Sequence, residues 1–529
     1  MPQTHLEAWQ DLTWPEVKTD KPLPMSEGVI DQGAFNIIEV DKLFDAVNHA
    51  ATTVGQATLY RSLTQPLATF AGVQAKQDAV KELQDNSTLK TQIQELIEQA
   101  AKTEDKLYLL LFGQHVGSFS TAREKHEIEG YGYREYRNGV KFVLDLIAKA
   151  ATINAPQSSY LASVIAKLKA FADSRYYTLM QGPVYVSEGN IRTKAEQGGI
   201  KFPVPVIFKP TIFKPVVLTC TFLLVWLAST FAEAAIGIGT PAAAIFLGPL
   251  TLLYLPIVGG FDRENCINPL RNLFKKAEPL GEMLGALGQL DELMAFVKFA
   301  ETFPHSTVLP QLESGKHHRI KLAAAVNPVL GKTNAEYVAN DFKLDDENLV
   351  LLTGPNSGGK TAFCKTLTQI QVLAQIGCYV PAKSAALTVA DRIFYQVPEI
   401  SHLDDGEGRF GTELKRTKEI FLATTSKSLV VLDELSEGTT FEEKMEASIN
   451  TLNGFYRKGN STVLITHNHQ LVDHFVKEGA GVPLQVEFAK DAPTYRLVTG
   501  ISCISHAARV AKKIGFSKED IDNYLAKDQ

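Results

Sequence analysis

Apolar residues fall into three rhythms along this chain. From Phe35 they recur at every third or fourth position, through Val40, Leu43, Phe44, Leu59, Leu63 and Val80, with a break at Pro66. That spacing predicts amphipathic helices. Residues 82–101, 121–151, 160–177 and 280–303 continue it, and Pro304 ends the last. The middle helices fit long arms or a bundle, since periodicity does not choose between them. A Val-, Pro- and Gly-rich stretch over 183–210 breaks the rhythm and predicts a short strand pair.

The second rhythm is uninterrupted. Val216–Ala235 and Ala242–Val258 are apolar runs joined by a turn holding Gly237, Gly239 and Pro241. Glu233 is the sole charge between Lys214 and Asp262. A spanning helix needs about 20 apolar residues, so the pair reads as a transmembrane hairpin over 213–262. Lys201, Lys209 and Lys214 precede it and Arg263, Arg271, Lys275 and Lys276 follow, which puts both flanks on the cytoplasmic side. The other reading is a helical pair buried in protein.

The third rhythm begins near Ile320, where the chain turns strand-like. Leu349–Thr353, Leu429–Leu432 and Val463–Ile465 are short unbroken runs of Leu, Val and Ile. Such runs predict strands of a parallel sheet buried on both faces. Residues 362–376, after the first of them, read as a helix.

Composition changes this picture little. The chain has 529 residues, enough for two or more domains, and 45% hydrophobic content, ordinary for a globular protein. The net charge of −6 argues against coating nucleic acid by bulk charge. Cys220, Cys266, Cys364, Cys378 and Cys503 form no C-x-x-C pair, so reduced thiols are expected rather than disulfides or a zinc site. The polar N-terminus, with Trp9 and Trp14, lacks the apolar core of a signal peptide.

The chemistry lies where the three strands end. Gly354-Pro355-Asn356-Ser357-Gly358-Gly359-Lys360-Thr361 fits the phosphate-loop pattern G-x-x-x-x-G-K-[ST]. Its glycines let backbone N–H groups wrap a phosphate chain, Lys360 can reach the terminal phosphates, and Thr361 can offer a hydroxyl to Mg²⁺. The second strand runs into Asp433-Glu434 and the third into Thr466-His467. A base, two acids and a histidine at one sheet edge form a candidate ATP site.

These motifs resemble the MutS mismatch-repair ATPases, whose phosphate loop reads G-P-N-M-G-G-K-S. Ile376-Gly377-Cys378-Tyr379-Val380-Pro381-Ala382, Asp433 to Thr440 and Thr466-His467 are similar to further motifs of that family. So are Gly55-Gln56, Gln65-Pro66-Leu67, Gln77 to Val80, Leu290-Asp291 and Tyr337 to Asp341. The resemblance implies that ATP binds with Lys360 on the β and γ phosphates and with Asn356 near the γ phosphate. Thr361 and Asp433 would hold Mg²⁺, Glu434 would orient the attacking water, His467 would sense the γ phosphate, and Tyr337 would stack on adenine. It also implies a homodimer formed through the ATPase domain. Three positions depart from the family: Gly408 stands where a trans-acting serine is expected, with Arg409 beside it, Glu437 stands where a basic residue is common, and Asn327 stands where histidine is common. No N-terminal mismatch-reading domain is expected, and the hairpin falls where DNA-clamping arms would be.

The expected order is a tail (1–35), a helical core/lever domain (36–212), the membrane hairpin (213–262), a second part of the core/lever (263–304) and a MutS-type P-loop α/β ATPase domain with a C-terminal helical dimer contact (305–529). The expected function is a membrane-anchored ATPase, with its ATPase on the cytoplasmic side, whose dimer drives arm movement. The alternative is a cytoplasmic repair or recombination factor binding mismatched or branched DNA.

Overall fold

The computed structural model describes residues 3–527 except 117–120, 188–189, 199–204, 210–219, 221–222, 225, 229, 232–256, 356–357, 399–407, 436–439, 490–491, 503–510 and 512–513. The chain folds as two compact units. One holds Met1–Thr19, Ala50–Thr58 and Asp85–Met294; the other holds Asp20–His49, Leu59–Gln84 and Ala295–Gln529.

The first unit is mainly helical. Ser87–Ala101, Glu104–Phe112, Tyr133–Ala151 and Ser159–Ala170 pack on buried Ile93, Leu107, Tyr136 and Leu161. Asn86 caps Ser87–Ala101 by accepting from the Leu89 N–H, so the pattern expected to continue from 82 restarts there. The helix predicted over 121–151 begins only at Tyr133. Before it lie two short parallel strands, β1 (Gln114–His115) and β2 (Glu127–Ile128). The expected strand pair is a three-stranded antiparallel sheet of β3 (Val184–Ser187), β4 (Asn190–Arg192) and β5 (Val206–Phe208), ordered β4-β3-β5.

The helix Thr53–Thr64 starts in this unit against two buried carboxylates. Asp291 accepts from the Ala51 N–H (3.1 Å), the Thr52 N–H (2.7 Å) and the Thr52 hydroxyl (2.6 Å). Glu104 accepts from the Thr53 N–H and hydroxyl at 2.8 and 2.9 Å and from the Tyr108 hydroxyl at 2.9 Å. Burial raises the Glu104 carboxyl pKa, and those bonds oppose the rise. A Cβ on Gly55 would stand 2.1 Å from Asp291 Oδ2, so glycine is required there.

The tail expected over 1–35 is packed instead. Leu6 and Trp9 are buried in the first unit, and the Trp9 indole N–H donates to Glu16 O. Ile30 and Phe35 are buried in the second unit, where Ile30 bridges to Ile393. Most of the 216–258 stretch lies outside the described residues. Leu223, Leu224, Trp226 and Phe231, which are described, are helical and exposed. Among the described residues no helix is long and apolar enough to cross a membrane, so no described helix supports the expected hairpin.

The second unit carries two sheets. The smaller has the order β6 (Gln311–Glu313), β10 (Ser384–Thr388), β7 (Ile320–Ala325), β8 (Asn340–Leu344). The larger runs β11 (Ile393–Gln396), β12 (Leu429–Asp433), β13 (Ser461–Ile465), β9 (Leu349–Thr353), β14 (Val482–Ala489), β15 (Ala492–Thr499). Its first five strands are parallel and β15 is antiparallel. Leu351, Val430, Leu432, Leu464, Phe455 and Phe475 share one core.

The helix Lys360–Gln375 is buried along most of its length, polar residues included. Gln375 Nε2 donates to Leu67 O (2.7 Å) and Ala390 O (2.9 Å), while its Oε1 accepts from the Ala390 N–H (3.0 Å) and from Gln371 Nε2 (2.8 Å). Gln375→Ala would leave these buried groups unpaired, at roughly 1–3 kcal/mol each. We expect a loss of about 3 kcal/mol or more, read as a lowered denaturant midpoint with unchanged slope.

Candidate functional site

The parallel register aligns three strand ends. Asp433 pairs with Ile465, and Ile465 with Leu352. The strands therefore finish level, and the residues just after them share one edge. Gly354, Pro355, Gly358, Gly359, Lys360, Thr361, Asp433, Glu434 and His467 lie at or just beyond these ends. Asn356 and Ser357 lie outside the described residues.

The loop's conformation depends on its glycines. Gly354 has φ +131° and Gly359 φ +84°, a region that side chains with a Cβ rarely adopt. Gly358 packs so closely on Val486 that a Cβ would meet its Cγ2 at 3.2 Å. Lys360 is 2% exposed, and its ammonium donates to Gly354 O at 2.5 Å across the loop. Burial lowers its pKa, while the Glu434 and Asp433 carboxylates pull it back up.

The Thr361 hydroxyl donates to Asp433 Oδ2 at 3.0 Å. Burial raises the Asp433 carboxyl pKa; the Thr361 bond, Lys360 and Lys365 oppose it. A hydroxyl and a carboxylate this close are hard oxygen donors of the kind Mg²⁺ takes, with its remaining positions left to water and phosphate. The residues present fit such an ion.

Glu434 adopts a left-handed backbone (φ +60°), with its N–H donating to Ile465 O at 2.9 Å. That conformation is uncommon for a residue with a side chain and marks a constrained position. His467 Nε2 lies 3.5 Å from Glu434 Oε1, and His467 is the more exposed of the two. Tyr337 is half-buried; burial raises its phenol pKa, and a hydrogen bond with Thr366 of the loop helix opposes the rise.

Two contributors escaped the sequence reading. Tyr495 also has φ +61°, and its ring would lie 3.2 Å from a Cβ on Gly359. Asn340 holds that part of β15, donating to Tyr495 O at 3.0 Å and accepting from the Leu497 N–H at 2.8 Å. Asn340 falls within a motif quoted above, but nothing in the sequence pairs it with residue 495.

The fold and the loop define a P-loop ATPase-type α/β domain with a mixed sheet. Residues 350–527 match the family model for MutS domain V. The chain is 31% identical over 264 residues to the DNA mismatch repair protein MutS of Prochlorococcus marinus (strain MIT 9301), covering 48% of this chain and 29% of that protein. It is 34% identical over 200 residues to the MutS of Exiguobacterium sp. (strain ATCC BAA-1283 / AT1b), covering 37% and 23%. It is 28% identical over 261 residues to Endonuclease MutS2 of Ligilactobacillus salivarius (strain UCC118), covering 49% and 33%. The chain thus spans a third or less of these relatives, and the matches support a MutS-type domain at its C-terminal end.

Asp433→Asn keeps the shape of the side chain and removes its charge. It should raise the Mg²⁺ concentration needed for ATP binding by about tenfold or more, as measured by titrating Mg²⁺ against a fluorescent ATP analogue.

Proposed function

We propose that this chain is a Mg²⁺-dependent ATPase of MutS type that works as a homodimer through its P-loop domain. The observation that carries this is the contact of Thr361 Oγ1 with Asp433 Oδ2 at 3.0 Å beside the buried Lys360. Lys360 neutralises the β and γ phosphates, Asn356 adds a γ-phosphate contact, and the backbone N–H groups of the loop line the phosphate chain. Bound Mg²⁺, held by Thr361 and Asp433, supplies charge neutralisation on the phosphates. Glu434 accepts a proton from the water that attacks the γ phosphate, and His467, against Glu434, reads whether that phosphate is present. Tyr337 stacks on the base. Phosphoryl transfer asks little of the protein beyond such positioning and charge.

Glu434→Gln tests the assignment. ATP affinity should stay within about twofold while turnover falls by about a hundredfold or more. Undiminished turnover in this variant removes Glu434 from the role of base.

The finer reading adds an anchor: residues 216–258 enter a bilayer as a hairpin, so that ATP-driven change in the dimer acts on membrane-tethered arms. Its support is the stretch from 215 to 261 with Glu233 as its one charge, together with the exposure of Leu224, Phe231 and Ile257. A second reading, a factor that binds mismatched or branched DNA, is favoured by the names of the MutS relatives. Carbonate washing of membranes separates the two. The anchored chain stays in the pellet, whereas release into the wash, with salt-sensitive binding to branched duplex, supports the DNA reading.

A further inference from the structure

The first unit holds a polar cavity of about 490 Å³ whose lining includes His115, Glu264, Asn268, Arg271 and Asn272. Arg271 governs its charge. Nε of its guanidinium donates to Leu110 O at 2.5 Å, a second nitrogen donates to Gly113 O, and Nη1 donates to Asn268 Oδ1 at 3.3 Å. All three acceptors are neutral. Burial alone lowers the Arg271 pKa, to about 10, with no carboxylate opposing it. Glu264, the one acid among the described residues of the lining, is engaged by Arg263 Nε at 2.7 Å and by Asn268 Nδ2 at 3.2 Å.

The surroundings are electropositive as well. The two ring nitrogens of His115 are buried and neither makes a hydrogen bond of ordinary geometry. Burial, Arg271 and Arg263 push the His115 pKa down to about 4, against weaker support from Asn268 and Glu264. Lys275, one turn beyond Arg271, is lowered by burial and by Arg271 too, with Asp11 opposing. Arg271 is half-buried, and a partly desolvated cation ordinarily has a counterion, because charge bonded only to neutral dipoles is costly. Capping the carbonyls at the end of helix Glu104–Phe112 explains why an arginine is present, and the negative end of the helix dipole offsets part of its charge, but no carboxylate among the described residues pairs with it.

We infer that this cavity binds an anion of the phosphate class, with Arg271 as its charge partner and His115 and Asn272 as hydrogen-bonding groups. Two sources share that chemistry: free phosphate and a phospholipid headgroup. The headgroup is favoured by the neighbouring chain. Ile257 (66% exposed) and Phe261 (46% exposed) lie on the helical segment that leads from the apolar run into Glu264. This preference rests on the anchor reading above; the anion site itself does not.

The test uses the full chain in detergent with Lys360→Ala, so that phosphate has no grip on the phosphate loop. Inorganic phosphate should slow amide exchange in peptides covering 105–116 and 257–275. Arg271→Met and, separately, Asn272→Asp should each weaken that protection by about tenfold or more. Asn272 is exposed, so its variant keeps the question open to refutation should Arg271→Met fail to fold. Flotation with phosphatidylcholine vesicles, with and without phosphatidic acid, separates the sources. A gain from phosphatidic acid that Asn272→Asp abolishes supports the headgroup. Phosphate protection with no vesicle binding by any variant supports the site while removing the anchor. Absence of phosphate protection, or equal protection in Asn272→Asp, overturns the site.

Discussion

The second unit depends on one buried helix and on the hydrogen bonds that allow it to be buried. Lys360–Gln375 is enclosed by protein, yet it carries Thr366, Thr368, Gln369, Gln371 and Gln375 inside. Buried amides are costly unless bonded, and these are bonded to backbone from several elements. Gln369 donates to Ile38 O at 2.8 Å, Gln371 to Thr388 O at 3.0 Å, and Gln375 to Leu67 O and Ala390 O. Asn327 joins the set through Thr366 and Gln369. The helix therefore stitches the smaller sheet and the N-terminal segments of its unit to the phosphate loop. The motif residues around it follow the same logic. Gly377 has φ +82°, and a Cβ there would stand 2.7 Å from Lys76 Cβ, which explains a glycine facing the helix that holds Gln77.

The edge of the large sheet is precise for a related reason. Parallel strands finish level only if their register is fixed, and buried Val, Leu and Ile on β9, β12 and β13 fix it on both faces. Residues at the strand ends then inherit that precision without packing of their own. Glu434, turned into a left-handed conformation directly after the strand, and Thr361, the second residue of the helix, are held by backbone. Substitutions in the core behind them would therefore act on the site through register.

What could be read from the sequence was local. The strand, loop and helix around Lys360 are contiguous, and each following strand carries its polar residue at its own end, so short windows sufficed. The three-stranded sheet over 184–208 was partly legible, because Pro and Gly break a helical rhythm but do not say how many strands replace it. What was not legible depends on distant partners. Tyr495 shows no motif; its relevance comes from Asn340 and Gly359, which lie more than a hundred residues away. Trp9 and Ile30 looked like parts of a loose tail, because short polar stretches with scattered large residues show no periodicity even when those residues are buried. Gly55 and Asp291 were recognisable as family-like positions, yet only the 2.1 Å approach explains them.

Two helix starts show how one physical device serves opposite ends. The N-terminus of a helix presents unpaired N–H groups and a partial positive charge. At Thr53–Thr64 that end is filled from within by Asp291 and Glu104, and Gly55 provides room for the first of them. The result is structural: charge and donors are consumed, and the carboxylates anchor distant helices of their unit. At Lys360–Gln375 the residue before the helix is Gly359, which has no side chain with which to cap the first turn. A protein that capped this end as it caps the other would gain stability there. Donors left without an N-cap side chain, with a buried ammonium beside them, support the proposal that an anion from solution binds there. The contrast between a helix start closed by its own acids and one kept open is thus the physical basis for reading the second as the place where a phosphate binds.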